Sequence, residues 1–166
     1  MPSVLFICTA NQFRSPIAAL CFGKALQRRR PTGKWVVESA GTWTTKGLQP
    51  DSSVIKIANR LGLRDFDRHR SQQVNRKLMD AFDLIIVMET GHKEALNSEF
   101  PRSQGRIFLL SEVAEGISYN VADPLSPEID PNETADKINE LINKGFTRII
   151  EAARYFEKAR KESRDL

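Results

Sequence analysis

Four short apolar runs alternate with amphipathic segments along this chain, and that alternation restricts the folds available to it. Each run is short and apolar enough to be buried on both faces of a sheet, as in parallel sheets covered by helices. The predicted strands are Ser3–Ile7, Trp35–Ser39, Leu84–Met88 and Arg106–Leu110. Strand–helix alternation therefore predicts an α/β fold, a three-layer sandwich in which a four-stranded parallel sheet is flanked by helices on both faces.

The segments between the runs carry helix signals. The predicted helices are Pro16–Arg29, Ser52–Leu61, Asn75–Ala81, Gly91–Asn97 and a long final helix over about Ala135–Arg160. Pro31 follows the end of the first helix and Gly62 the end of the second, as expected of helix stops. No repeat or low-complexity linker interrupts the chain. We therefore expect residues 1–166 to form a single domain, with 161–166 as a frayed tail.

A C-x5-R-S element lies between the first predicted strand and Pro16. The strand would place the Cys8 thiol in a loop that Arg14 closes, and Ser15 is expected to cap a helix beginning at Pro16. Successive loop N–H groups and the helix N-terminus would converge on one point, which suits a phosphate dianion. The same field favours a thiolate nucleophile. The element predicts phosphoryl transfer through a cysteinyl-phosphate, although a lone Cys at a strand end is ordinarily a small buried hydrophobe.

Such a reaction also needs a general acid to protonate the leaving oxygen. Asp123 is the candidate, because it lies in a proline-bounded loop after the last predicted strand. Loops at the carboxyl ends of parallel strands share one edge of the sheet, which would bring Asp123 near Cys8. The same residue could instead form an Asx turn before Pro124. On the sequence alone, both interpretations stay open.

Charge and composition narrow the possible partners. A formal net charge of +4 suits a phosphorylated or acidic partner, and no basic–aromatic pattern indicates nucleic acid.

The sequence shows no sign of a metal or cofactor site. His69 and His92 are far apart and lack metal-ligand spacing, so we expect no metal, and no glycine-rich loop indicates a nucleotide cofactor. His92, in the first turn of a predicted helix, is expected to be exposed. We expect no cofactor of any kind.

Cysteine usage indicates a reducing compartment. Only Cys8 and Cys21 are present, without a CxxC motif, and Cys21 is expected to be a core residue of the first helix. The N-terminus does not resemble a signal peptide, and no apolar stretch approaches the length of a membrane span. We therefore expect a cytoplasmic protein with no membrane span.

The motifs together resemble the low-molecular-weight protein-tyrosine-phosphatase family, in a bacterial-type form, over about residues 3 to 157. The stretches that carry the resemblance are Val4–Asn11, Arg14-Ser15-Pro16, Glu38–Thr42, Gly47 with Pro50-Asp51, His69-Arg70-Ser71, Phe82–Met88 and Asp123-Pro124. The resemblance implies that Cys8 is the nucleophile and that Arg14 clamps the phosphoryl oxygens. It also implies that Ser15 assists departure of the thiolate and that Asp123 is the general acid.

The resemblance further implies roles for the residues around these four. Asn11, Ser39 and His69 match positions that support the loop by hydrogen bonds. The positions expected to surround the phosphate and its side chain are Thr9, Ala10, Asn11, Gln12, Phe13, Trp43 and Leu125. The expected partners are a phosphorylated protein substrate and, in the loop, inorganic phosphate or another oxyanion.

Several positions depart from the family pattern; among them, Glu89 follows the Met88 strand where an aspartate is common. Gln12 stands where tyrosine-directed members usually carry an apolar residue and arginine-phosphate-directed members a threonine. Phe13 stands where many members have a second cysteine, and Leu125 where an aromatic wall is common. Protein-tyrosine phosphatase is the leading interpretation. The alternatives are a protein-arginine phosphatase and a non-catalytic module that binds phosphorylated residues. Arsenate reduction would need resolving cysteines, and none follows Cys21.

Overall fold

The computed structural model describes all 166 residues, and its centre is a four-stranded parallel sheet in the order β2-β1-β3-β4. The strands are β1 (Ser3–Cys8), β2 (Val36–Gly41), β3 (Leu84–Val87) and β4 (Ile107–Leu109). Each strand lies within two residues of its predicted bounds. The predicted α/β sandwich is confirmed.

Seven α-helices connect and cover the strands. They are α1 (Arg14–Arg29), α2 (Ser52–Arg60), α3 (Arg76–Ala81), α4 (Thr90–Glu99), α5 (Leu110–Glu115), α6 (Pro131–Lys144) and α7 (Phe146–Arg164). Single-turn 3₁₀ helices occupy Phe66–Arg68 and Pro101–Ser103. None of the seven α-helices has both the length and the apolar composition needed to cross a bilayer.

The alternation of side chains along β1 divides the core into two layers. Val4, Phe6 and Cys8 face one side, where they pack in a buried cluster with residues of α1, α2, α5, α6 and α7. Leu5 and Ile7 face the other side and pack with residues of α3 and α4. Successive residues of a strand point to opposite faces, so a strand buried on both sides must be apolar throughout.

The final helix is not continuous, which corrects the prediction of a single helix over Ala135–Arg160. It breaks at Gly145 into α6 and α7. A Cβ atom at Gly145 would lie 2.7 Å from the Cα of Ala114, so the turn packs directly against α5. The helical pattern on both sides of Gly145 hides this break. The helix α7 continues to Arg164, beyond residue 161, where fraying was expected.

The start of α1 also differs from the prediction. The helix begins at Arg14 and has Phe13 at its N-cap without a side-chain cap hydrogen bond. Ser15 lies inside the first turn and is fully buried, so it does not cap the helix. Its hydroxyl instead contacts the groups that surround Cys8.

Candidate active site

The Cys8 thiol lies at the end of β1, at the edge of the sheet where all four strands end. Cys8 is in register with Gly41 at the end of β2, and it is almost completely buried. Its Sγ lies 3.0 Å from Ser15 Oγ. Ser15 Oγ also accepts a hydrogen bond from Asn11 Nδ2 at 2.9 Å. A thiolate at this position would therefore have a hydroxyl donor within hydrogen-bond distance.

Asn11 holds the middle of the Cys8 loop, which we define as residues 8–14. Its φ of 55° is in the left-handed region, which few residues other than glycine adopt. Its side chain donates to Ser15 Oγ and Ser39 Oγ, both at 2.9 Å, and accepts from the Gln72 N–H at 2.9 Å. All the polar atoms of this fully buried amide are thereby used. These bonds fix a strained loop conformation.

His69 contacts the same residue from outside the loop. Its Nε2 lies 2.6 Å from the Asn11 carbonyl oxygen, and because a carbonyl only accepts, Nε2 carries a proton. Burial lowers the pKa of His69, while the bond to Asn11 acts in the opposite direction and Arg70 acts in the same one. The structure thus brings Asn11, Ser39 and His69 into one hydrogen-bonded group.

Arg14 closes the loop as a buried cation with several acceptors. Its Nη1 donates to the Val121 carbonyl at 2.9 Å and lies 3.1 Å from Glu89 Oε2. Its Nη2 lies 3.7 Å from Asp123 Oδ2. Glu89 was not among the predicted site residues. Its position directly after the third predicted strand, at the same sheet edge as Cys8, is the signal that could have indicated it.

Asp123 forms the Asx turn and also places one carboxylate oxygen near Arg14. Its Oδ1 accepts the Leu125 N–H at 2.9 Å, which forms the Asx turn. Its Oδ2 faces Arg14, and its side chain is 42% exposed. The turn therefore holds a partly solvated carboxylate at the rim of the site that contains Cys8.

A pocket of about 560 Å³ opens above the Cys8 loop. Its walls include the predicted loop residues Thr9, Ala10, Gln12 and Phe13, together with Asp123 and Leu125. Sequence reasoning missed the wall supplied by α2 and the residues before it, namely Gln49, Asp51, Ser53, Val54 and Ile57. Nothing in the spacing of these residues indicates that α2 leans over the loop.

Two predicted placements need correction. The Trp43 side chain is 84% exposed and lies outside the pocket wall. The Trp43 N–H donates to the Thr9 carbonyl at 3.0 Å, which ties its backbone to the loop and leaves the indole in solvent. His92 is buried rather than exposed, because α4 packs its first turn against the Cys8 loop.

Cys21, the other thiol of the chain, does not line the pocket. Burial raises the pKa of the Cys21 thiol to about 12, and the residue packs in the core as predicted. No three His, Cys, Asp or Glu side chains come close enough together to hold a metal ion. The groups at the pocket are a thiol, a guanidinium and a carboxylate. This set can bind an oxyanion, attack it and protonate a leaving group.

Comparisons with known proteins agree with this chemistry. Residues 3–163 match the family model described as low molecular weight phosphotyrosine protein phosphatase. The chain is 32% identical over 143 residues to the probable low molecular weight protein-tyrosine-phosphatase EpsP of Ralstonia nicotianae, covering 86% of this chain and 90% of EpsP. It is 28% identical over 142 residues to a protein-arginine-phosphatase of Geobacillus stearothermophilus, covering 85% and 91% of the two chains.

A solved structure shows the same fold. The arginine phosphatase YwlE, as a mutant with a phosphorylated active-site serine, superposes with a TM-score of 0.78 at 26% sequence identity, covering 96% of this chain and 98% of that one.

Proposed function

This chain belongs to the low molecular weight phosphotyrosine protein phosphatase family, and we propose that it hydrolyses phosphotyrosine in proteins with Cys8 as its nucleophile. The observation that carries the proposal is the convergence of three reactive side chains on one pocket. Cys8, Arg14 and Asp123 all line it, and Ser15 Oγ lies 3.0 Å from the thiol sulfur.

In the first step, the Cys8 thiolate attacks phosphorus in line with the bond to the tyrosyl oxygen. The S–P bond forms as the P–O bond breaks, and Asp123 donates its proton to the departing phenolate. The loop N–H groups of Thr9, Ala10, Asn11, Gln12 and Phe13 surround the phosphoryl oxygens together with Arg14. Such preorganised donors usually supply the largest part of transition-state stabilisation.

In the second step, water attacks the phosphorus of the cysteinyl-phosphate. The Asp123 carboxylate takes a proton from that water, the P–S bond breaks, and the electron pair returns to sulfur as thiolate. Ser15 Oγ stabilises the thiolate by donating a hydrogen bond to it. Inorganic phosphate leaves and Asp123 is again protonated, so protons and charge balance over the cycle.

The supporting roles follow from the contacts of the loop. Asn11, Ser39 and His69 hold the loop in its strained shape. Leu125 is part of the pocket wall and would contact the substrate ring. Trp43, exposed near the rim, would meet the phosphoprotein outside the pocket. The two free cysteines suit a reducing cytoplasm, where the thiolate stays active.

Phosphoarginine is the second candidate substrate. Gln12 places a polar side chain in the pocket wall, with its Nε2 3.4 Å from the Gln49 carbonyl oxygen. A polar wall is a better match for the guanidinium group of phosphoarginine than for the phenyl ring of phosphotyrosine. The Geobacillus relative is a protein-arginine-phosphatase, which gives this candidate independent support.

The test uses p-nitrophenyl phosphate hydrolysis by the wild-type chain and by Cys8→Ser. We expect metal-independent, vanadate-sensitive turnover that falls to background in Cys8→Ser. Cys21→Ala is the matched control, since it removes the other thiol, and it should keep its activity. Near-normal turnover by Cys8→Ser would contradict the mechanism. A wild-type chain that binds phosphate without hydrolysing the ester would instead be a binding module.

Parallel assays with phosphotyrosine and phosphoarginine peptides then decide the substrate. We expect the larger kcat/KM for phosphotyrosine. A preference for phosphoarginine would leave the role of Cys8 in place and change the assigned substrate.

A further inference from the structure

His92 is buried at the site but has no part in the steps above. It lies in the first turn of α4 and contacts two other parts of the site. Its Nε2 is 2.8 Å from Thr9 Oγ1, in the Cys8 loop. Its Nδ1 accepts the backbone N–H of Glu89 at 3.1 Å. A buried imidazole with both nitrogens engaged is held in a single orientation.

The two contacts together determine the proton on the ring. A nitrogen that accepts a hydrogen bond carries no hydrogen, so the neutral imidazole must hold its proton on Nε2. Nε2–H therefore donates to Thr9 Oγ1, which is closer than Glu89 Oε2 at 3.4 Å. Burial and the charge of Arg14 lower the pKa of His92, and Glu89 and Asp123 act in the opposite direction. The neutral ring is the form that fits both contacts.

The contact with Glu89 connects His92 to Arg14. Glu89 is the N-cap residue of α4, and its Oε2 lies 3.1 Å from Arg14 Nη1. In a capping box, the side chain at the third helical position accepts a hydrogen bond from the N–H of the N-cap residue, and this bond fixes the backbone at the start of the helix. His92 thus fixes the backbone of the residue whose carboxylate pairs with the buried guanidinium.

The order of the strands explains why the Cys8 loop is held from two sides. β1 lies between β2 and β3, so the Cys8 loop has a neighbour on each side. Asn11 is held from the β2 side through Ser39. Thr9, the residue directly after the thiol, is held from the β3 side through His92 at the start of α4.

We propose that His92 is a positioning residue for the phosphatase reaction, which fixes Thr9 in the Cys8 loop and Glu89 against Arg14. The inference rests on the proposed function. Because the bond to Thr9 constrains the loop that surrounds the phosphoryl group, its loss should affect the transition state more than substrate binding. Replacing a residue that only filled space would not affect the transition state more than substrate binding.

The test compares substitutions on both sides of the bond. His92→Leu removes both contacts, whereas His92→Gln keeps an acceptor for the N-cap N–H and a donor for Thr9. Thr9→Val removes the hydroxyl and Thr9→Ser keeps it. Glu94→Gln, an exposed position on α4, is the matched control. The measurements are kcat and KM for p-nitrophenyl phosphate, the Kd of vanadate and the thermal midpoint.

We expect His92→Leu and Thr9→Val each to lower kcat about 10-fold with little change in KM, and to weaken vanadate binding by a similar factor. His92→Gln and Thr9→Ser should recover most of the activity that His92→Leu and Thr9→Val lose, and Glu94→Gln should stay within about threefold of the wild type. The double variant that combines His92→Leu with Thr9→Val should lose no more activity than His92→Leu alone, since both changes break the same bond.

Equal activity of His92→Leu and wild type would overturn the inference, as would equal losses in His92→Leu and His92→Gln. If His92→Leu does not fold, the comparison of Thr9→Val with Thr9→Ser decides the question from the loop side. A wild-type chain that binds vanadate but hydrolyses no ester would contradict the proposed function alone. The vanadate affinities of the variants would then still decide the role of His92.

Discussion

At the scale of single residues, the two carboxylates beside Arg14 have different environments. Glu89 lies 3.1 Å from the guanidinium, whereas Asp123 lies 3.7 Å away and is 42% exposed. A buried cation is strongly destabilising without a charged partner, and Glu89 is the closer one. This difference supports the proposal that Asp123, rather than Glu89, exchanges a proton with substrate and water.

We expect Asp123→Asn to lower kcat for p-nitrophenyl phosphate by roughly 10²–10⁴-fold, because an amide cannot protonate the leaving oxygen. The amide oxygen can still accept the Leu125 N–H, so the turn and the thermal midpoint should be retained. Glu128→Gln, in the same loop, is the matched control. Steady-state kinetics with aryl phosphates of increasing leaving-group pKa measure the effect, which should grow with that pKa. A loss that is independent of the leaving group would exclude Asp123 as the acid.

The residues of the site differ in how far the sequence could predict them. Cys8 and Arg14 were predictable because their spacing and the flanking strand and proline belong to one local element. Ser15 was placed correctly at the site, but its expected capping role was wrong because its hydroxyl is used by Cys8 and Asn11. His92 meets the loop only when α4 packs against it, and such a tertiary contact leaves no local signal in one sequence. Glu89 was more accessible to prediction, because it directly follows a predicted strand that ends at the same sheet edge as Cys8.

At the scale of elements, the end of β2 packs in close contact with the Cys8 loop. A Cβ atom at Gly41 would lie 2.5 Å from the Thr9 carbonyl oxygen and 3.1 Å from Asn11 Cβ. The Thr9 carbonyl is also the acceptor for the Trp43 N–H. Even a methyl group at Gly41 must therefore displace the backbone of the loop that surrounds the phosphate.

We expect Gly41→Ala to lower both the thermal midpoint and kcat/KM, with a loss in kcat/KM of at least about 10-fold, because misplacement of a preorganised site by less than an ångström is costly. Gly23→Ala is the matched control, since no atom lies within 4 Å of its added methyl group. Gly23 is inside α1, where alanine should raise the free energy of unfolding by about 0.5–1 kcal/mol and leave activity unchanged. Thermal melts and steady-state kinetics of the two variants check both outcomes. Unchanged kinetics in Gly41→Ala would show that the loop tolerates displacement.

The elements were predictable where one pattern was sufficient. The central strands β1 and β3 are buried throughout, and all four strands coincide with short apolar runs, so their number and approximate bounds followed from those runs. The six-residue α5 was missed because it follows β4 immediately and is too short for a periodic signal. The break at Gly145 was missed because its cause is the approach of Ala114 from α5, and this contact is invisible in a helical pattern.

At the scale of the whole molecule, both layers of the core meet at the same sheet. β1 contributes Phe6 to one layer and Ile7 to the other, and the Cys8 loop extends from the end of that strand. We therefore expect residues 1–166 to unfold as one unit, in a single transition. An oxyanion that binds only the folded loop should stabilise the entire chain.

Vanadate at about 100 times its Kd should stabilise the folded state by about 2.7 kcal/mol, which corresponds to a rise of roughly 5–10 °C in the thermal midpoint for a chain of this size. Arg14→Ala should largely abolish that rise, because it removes the guanidinium that binds the oxyanion. Arg28→Ala is the matched control: Arg28 is an exposed arginine of the same helix that bonds Asn143 at 2.7 Å, and the variant should keep the full rise. Differential scanning fluorimetry at constant ionic strength measures all three. An oxyanion bound in the Cys8 loop depends on the Arg14 guanidinium. An equal rise in the thermal midpoint of Arg14→Ala would therefore mean that vanadate binds outside this loop.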